Sequence, residues 1–152
     1  DVPHQSWHLD YTAPGAARGI PGAQVFLCVD EIAPGAGGTV VAAGVQHLID
    51  AIRRREGPGW SGRSLDVRKA LQREAPWIRD LGTCRAGEDR LARFMASPTR
   101  VKDVELQVVE LVGEPGDVYV MHPWLLHAPA PNCGSRPRMG LTERIHARRV
   151  RG

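Results

Sequence analysis

Three side chains that lie far apart in the chain are of the types that share one metal ion. His8 and Asp10 stand two residues apart in Trp7-His8-Leu9-Asp10, so on an extended strand both leave the same face. Late in the chain a turn, Glu114-Pro115-Gly116-Asp117, leads into a β-rich apolar run that ends at His127. A histidine from that run would complete two imidazoles and one carboxylate around an ion. With positions left open on one side, this is the facial set that holds Fe(II) in non-haem oxygenases. His122 competes with His127 for the distal role. The two are five apart, so a continuous strand would turn them to opposite faces, and only one can be a ligand.

Arg138, eleven positions after His127, favours His127. A guanidinium grips a carboxylate through two parallel hydrogen bonds that an ammonium group cannot imitate. A charge-assisted bond of this kind contributes about 1.5–3 kcal/mol. Beside an iron site, such an arginine suits the remote end of a dicarboxylate cosubstrate. The plainer alternative is a surface arginine paired with Asp or Glu. It fits less well, because Arg138 opens an apolar stretch that should enter the core.

The elements that must carry these groups are mostly short strands. Residues 1–12 read as a strand, with Trp7 and Leu9 on the face opposite His8 and Asp10. Residues 23–32 form an apolar, β-rich run expected to be buried on both sides, and Thr39-Val-Val-Ala-Ala43 reads as another strand. From Val45 the period becomes helical, with Leu48, Ile49 and Ile52 on one face. Residues 64–96 read as helix in two pieces, with Ser64 as the N-cap and Pro76 interrupting the run. Residues 104–112 return to strand composition, and Leu141 to His146 alternate as a last strand. Six or seven strands with helices grouped at about 46–96 give a mainly β fold, an antiparallel jelly roll of the cupin kind with a helical insertion. That insertion could lie over the mouth of the barrel, with Trp60 or Trp77 as substrate contacts, although core packing is the simpler fate of Trp77.

The whole chain sets the outer limits. Its 152 residues suffice for one domain, and 42% hydrophobic with 24% charged residues is an ordinary globular composition. No apolar run approaches the length of a membrane span, and no signal-peptide pattern is present. Cys28, Cys84 and Cys133 are too few and too scattered for a disulfide framework, which fits a cytoplasmic protein. The net charge of +3 arises largely from Arg53-Arg54-Arg55 and from the tail between Arg144 and Arg151. Without interleaved aromatic residues it reads as a solvated surface, and no nucleic-acid or membrane partner is expected. The chain opens on Asp1, seven residues before His8, so an N-terminal segment is expected to be missing.

Taken jointly, His8-Leu9-Asp10, then Gly37-Gly38-Thr39 leading to Gly44 and His47, then Gly116-Asp117, His127, Asn132 and Arg136-Pro137-Arg138 resemble the phytanoyl-CoA dioxygenase family. The resemblance covers about residues 4–49 and 103–147. It implies a double-stranded β-helix, Fe(II) held by His8, Asp10 and His127, and 2-oxoglutarate as cosubstrate with its far carboxylate on Arg138. O₂ would be the oxidant and a small organic molecule the substrate. Thr39, His47 and Asn132 would support the ligands from behind. Asp at position 10, where halogenating relatives carry a small residue, resembles the hydroxylating branch. Three departures stand out. The Gly-Gly-Thr turn is followed by a segment one residue longer than usual before His47. Pro129 occupies a place where relatives often carry a hydroxyl, and the N-terminal side is short. A cupin-like metal enzyme without 2-oxoglutarate and a non-catalytic β-barrel fragment are the competing readings.

Overall fold

Alternating apolar residues build sheets wherever the chain is extended, and seven strands result among the described residues. The computed structural model describes residues 1–147. The strands are β1 (Gly22–Cys28), β2 (Thr39–Ala43), β3 (Thr99–Val101), β4 (Val104–Leu111), β5 (Val118–Met121), β6 (His127–Pro129) and β7 (Gly140–His146). Between β2 and β3 lie the helices α1 (Val45–Glu56), α2 (Ser64–Glu74), α3 (Pro76–Leu81) and α4 (Arg90–Phe94). One antiparallel sheet has the order β5-β1-β7 and the other the order β3-β4-β2-β6. The architecture is mainly β, two antiparallel sheets arranged as in a sandwich, and among the described residues they do not close into a barrel.

The four-stranded sheet has two faces of different character. Val40 and Ala42 of β2, Leu106 and Val108 of β4, and Ala128 of β6 point to one side and are buried. The helices cover that side: Ile49 and Ile52 of α1, Val67 and Leu71 of α2, and Trp77 and Leu81 of α3 join the same apolar cluster. The insertion is therefore a wall of the core. Trp77 packs edge-on against Phe94, with ring centroids 5.2 Å apart, and its core fate is settled. Trp60 is partly buried against the same cluster. The other side of this sheet faces β1, where Phe26 meets the His127 ring edge-on at 5.9 Å. Among the described residues the buried polar side chains are Gln24, Thr39, Arg90 and His127, and all but Arg90 lie between the two sheets. Polar groups withdrawn from water need partners or a ligand, which directs attention to that space.

Several sequence-based expectations need correcting. Residues 1–12 do not form a strand; only His8 makes a ladder pair there, and Ser6 turns the chain with φ of 65°. β1 stops at Cys28, because the Asp30 carboxylate accepts from the Glu31 N–H at 2.8 Å and bends the segment. The outward residues of β1, Val25 and Leu27, are half-buried, so that strand is not covered on both sides. Segment 64–96 contains three helices. Pro76 opens α3 at a position where its missing N–H costs nothing. Ser64 lies inside α2 and Arg63 caps it through its extended backbone, while the Ser64 hydroxyl accepts from the Leu9 N–H at 3.4 Å. Of the basic groups, Arg53 and Arg54 both reach Asp50 at 2.7 Å, and Arg148, Arg149 and Arg151 lie outside the described residues. Among the described residues, no helix is long and apolar enough to cross a membrane.

Two substitutions test this packing. Leu106→Ala empties a fully buried site under the helices and lowers unfolding free energy by about 2–5 kcal/mol in urea titrations. Gly44→Ala forces a Cβ to within 2.1 Å of the Glu105 carbonyl at φ of 88°, and costs more than about 1 kcal/mol in the same measurement.

Candidate metal centre

Backbone pairing brings the two histidines together. The His8 N–H donates to the His127 carbonyl at 3.0 Å, and the His127 N–H returns the bond at 3.1 Å. Residues that exchange both bonds across an antiparallel ladder send their side chains to the same face. The two imidazole centroids are consequently 4.3 Å apart. On its other side β6 is fixed to β2 by the pair Val41↔His127. Asp10, two residues beyond His8, comes back to the same face. Its Oδ1 lies 3.7 Å from His8 Nε2 and its Oδ2 lies 3.6 Å from His127 Nε2. One ligand atom from each of the three residues lies within 4.8 Å of the others.

The chemistry of this donor set fits a divalent ion. His8 Nδ1 faces the Ser6 carbonyl at 2.7 Å, and His127 Nδ1 faces the Leu125 carbonyl at 3.0 Å. A carbonyl oxygen only accepts, so each Nδ1 carries the hydrogen and each Nε2 presents a lone pair to the Asp10 carboxylate side. Such anchoring of the remote ring nitrogen is what fixes metal-binding histidines. Ligand atoms bound to a single ion at about 2.0–2.2 Å lie roughly 3–3.5 Å apart at right-angled to tetrahedral spacing. The separations from Asp10 to the two imidazoles, 3.7 and 3.6 Å, lie just beyond that range.

Burial divides the set unequally. The His127 side chain is 5% exposed, whereas those of Asp10 and His8 are 27% and 45% exposed. Burial holds the His127 imidazole below the ordinary histidine range, outweighing its carbonyl bond and the nearby Asp10. The neutral imidazole that results is the ligating form. Behind the carboxylate, the Gln24 amide of β1 donates to Asp10 Oδ2. A group from the three-stranded sheet thus orients a ligand carried by the N-terminal segment.

Arg138 lies beside this centre, between the sheets. Its Nη1 donates to the Thr39 hydroxyl at 3.4 Å. A cavity of about 90 Å³ is lined by Arg138 together with Phe26, Thr39, Tyr119 and Thr142. Among the described residues Arg138 has no carboxylate partner, whereas neighbouring Arg136 lies 3.6 Å from Glu31. The guanidinium is thus a wall of the cavity with no carboxylate bound to it among the described residues. Cys28 also lines it, with a thiol pushed up by burial first and by Asp117 second, which keeps it protonated and unreactive.

The remaining sequence candidates sit elsewhere. His47 is exposed on α1, beside Gly44 and Glu105, and is not among the three grouped ligands. Asn132 organises its own loop by donating to the Arg136 carbonyl at 2.8 Å and accepting from the Gly134 N–H at 2.8 Å. His122 accepts the Trp124 N–H on Nδ1 at 3.1 Å, which separates it from the ligand role given to His127. Gln24, Phe26, Tyr119 and Thr142 were missed by sequence reasoning. Only Gln24 left a signal, as the lone amide in the apolar run that became β1.

Comparison with known proteins agrees with this geometry in one respect. A family model described as phytanoyl-CoA dioxygenase (PhyH) matches residues 1–140. No curated protein and no solved structure matches the chain.

Two measurements follow from the site. Gln24→Leu removes the amide that orients Asp10 and weakens Co(II) binding by about 10–100-fold in a spectroscopic titration, with little change in thermal stability. The His122 and His127 imidazoles are both held below their ordinary range by burial, so folding favours their neutral forms. Their contribution is present above the ordinary imidazole range, near about pH 6.5, and is lost as the pH falls below it. The metal-free chain therefore loses urea resistance below that pH. His122→Asn, whose amide oxygen accepts the Trp124 N–H without titrating, lessens the loss.

Proposed function

Because the chain belongs to the phytanoyl-CoA dioxygenase family, we propose that it is an Fe(II)- and 2-oxoglutarate-dependent oxygenase that hydroxylates an aliphatic carbon of a small organic substrate. One observation carries this reading: the ligand atoms of His8, Asp10 and His127 converge to within 4.8 Å of one another, beside an arginine that has no carboxylate partner among the described residues. The two sheets are assigned to a double-stranded β-helix, with the site between them.

Bound Fe(II), with 2-oxoglutarate and O₂, would supply the oxidising chemistry, in which R–H, 2-oxoglutarate and O₂ become R–OH, succinate and CO₂. The chain's own residues do the rest. His8, Asp10 and His127 would hold the metal from one side and leave the opposite side for the reactants. The Asp10 charge would offset part of the metal's, and Gln24 keeps that carboxylate in place. Arg138, steadied by Thr39, would take the remote carboxylate of 2-oxoglutarate in the cavity that Tyr119 and Thr142 line. Phe26 and Leu111 make that cavity apolar, which strengthens the ion pair by excluding water. Asn132 acts at a distance, on the loop before Arg138, whereas His47 stands exposed on α1.

An anaerobic titration with Fe(II) and then 2-oxoglutarate tests the proposal. A visible charge-transfer band should appear in the parent chain and vanish in Asp10→Ala. In Arg138→Ala the band should require roughly tenfold to hundredfold more 2-oxoglutarate, as loss of a charge-assisted pair implies. Iron binding with no band in the parent would instead favour a metal enzyme that does not use 2-oxoglutarate.

A further inference from the structure

A second concavity lies on the helical side of the four-stranded sheet, away from the metal ligands. It is a cleft of about 430 Å³ between the N-terminal segment and helices α2 and α3. Trp7 points toward the helices while its neighbour His8 points into the sandwich, so one segment separates the cleft from the metal centre.

The walls are held apart by fixed contacts. The buried Arg90 guanidinium donates to the carbonyls of Val2 at 2.9 Å, Pro3 at 3.0 Å and Leu81 at 2.7 Å. That clasp ties the N-terminal segment to the end of α3. Trp7 Nε1 adds a bond to the Pro3 carbonyl at 2.9 Å. The cleft is thereby preformed and lies within the size range of small-molecule sites.

Its lining is amphipathic. Leu65, Arg68, Lys69 and Gln72 recur at helical spacing along one stripe of α2, beside the stripe of Val67, Ala70 and Leu71 that enters the core. Leu65 is 52% exposed there, with no core role. Ile78, Leu81 and Leu126 supply an apolar floor. Every charged lining side chain is a cation, Arg68 and Lys69, and His4 faces them. The acids of α2 are engaged elsewhere: Asp66 accepts from Ser61 and Arg63, and Glu74 binds Arg55 and Lys102. Among the described residues, neither Arg68 nor Lys69 has a carboxylate partner.

We propose that this cleft is a binding site for a small amphipathic anion, distinct from the metal centre. A carboxylate or phosphate head meets Arg68 and Lys69, and a short hydrocarbon body lies on Leu65, Ile78, Leu81 and Leu126. The two cations give the head its affinity, and the buried floor gives the body its own.

The test uses the full metal-free chain and calorimetric titration with octyl phosphate, octanoate, 1-octanol and inorganic phosphate. At least one of the two amphipathic anions should bind one-to-one, about tenfold or more tighter than either octanol or inorganic phosphate. Whichever anion binds better identifies the head group. Arg68→Ala with Lys69→Ala, both on the solvent side of α2, should cost about tenfold or more, with unchanged thermal stability. Leu65→Ser should weaken whichever amphipathic anion binds better, by removing part of the apolar contact with its hydrocarbon body. No binding of either anion, equal binding by the double variant, or neither amphipathic anion binding better than octanol and inorganic phosphate would each overturn the proposal.

Discussion

Two backbone hydrogen bonds between His8 and His127 hold the candidate metal centre together. They fix which face of a three-residue strand carries a ligand, and they place the second imidazole on that face. A slip of one residue would turn every side chain to the other side. The register is held from β2, since the Ala42 N–H donates to the Leu126 carbonyl at 2.8 Å and the Ala130 N–H to the Gly38 carbonyl at 2.9 Å. Further back it depends on the helices, which press on Val40, Ala42 and Ala128. Helix packing on one face of the sheet therefore determines how the candidate metal ligands stand on the other.

That division explains how so small a core tolerates a polar interior. One side of the four-stranded sheet meets apolar helix stripes and carries the stability. The other meets β1 across a space in which Gln24, Thr39, Arg138 and His127 find partners mainly among themselves and the ligands. Each polar group there is tied to a different strand or loop. The site is consequently a joint of the two sheets, and distortion of either sheet moves only part of it.

Much of this is legible in the sequence. The two-residue spacing of His8 and Asp10, the change from β to helical periodicity at Val45 and the turn chemistry before β5 all act locally, and local patterns survive in sequence. The grouping of helices at about 46–96 and the mainly β class followed from them. What stayed hidden depends on pairing between distant segments. Residues 1–12 looked like a strand from their alternation, yet Ser6 and the Arg90 clasp hold most of that segment outside any ladder. Gln24 reads as an ordinary strand residue until β1 is laid over Asp10. Likewise Tyr119 and Thr142 meet Arg138 only because both flank Phe26 in register. His47 looked informative through its spacing from the Gly-Gly-Thr turn, but helix α1 carries it to solvent.

The unequal exposure of the ligands has a kinetic side. His127 is walled in by two strands and Phe26, whereas His8 hangs from an isolated pair at a sheet edge with nearly half its side chain in water. Exchange of an ion at this centre would begin with His8 swinging outward, while Asp10 and His127 retain a two-point hold. Capture would run the same path in reverse, with the buried pair meeting the ion first and the exposed ring closing behind it. How long a metal stayed would then depend on how readily the exposed His8 ring swings out. How tightly it bound would depend on all three candidate ligands.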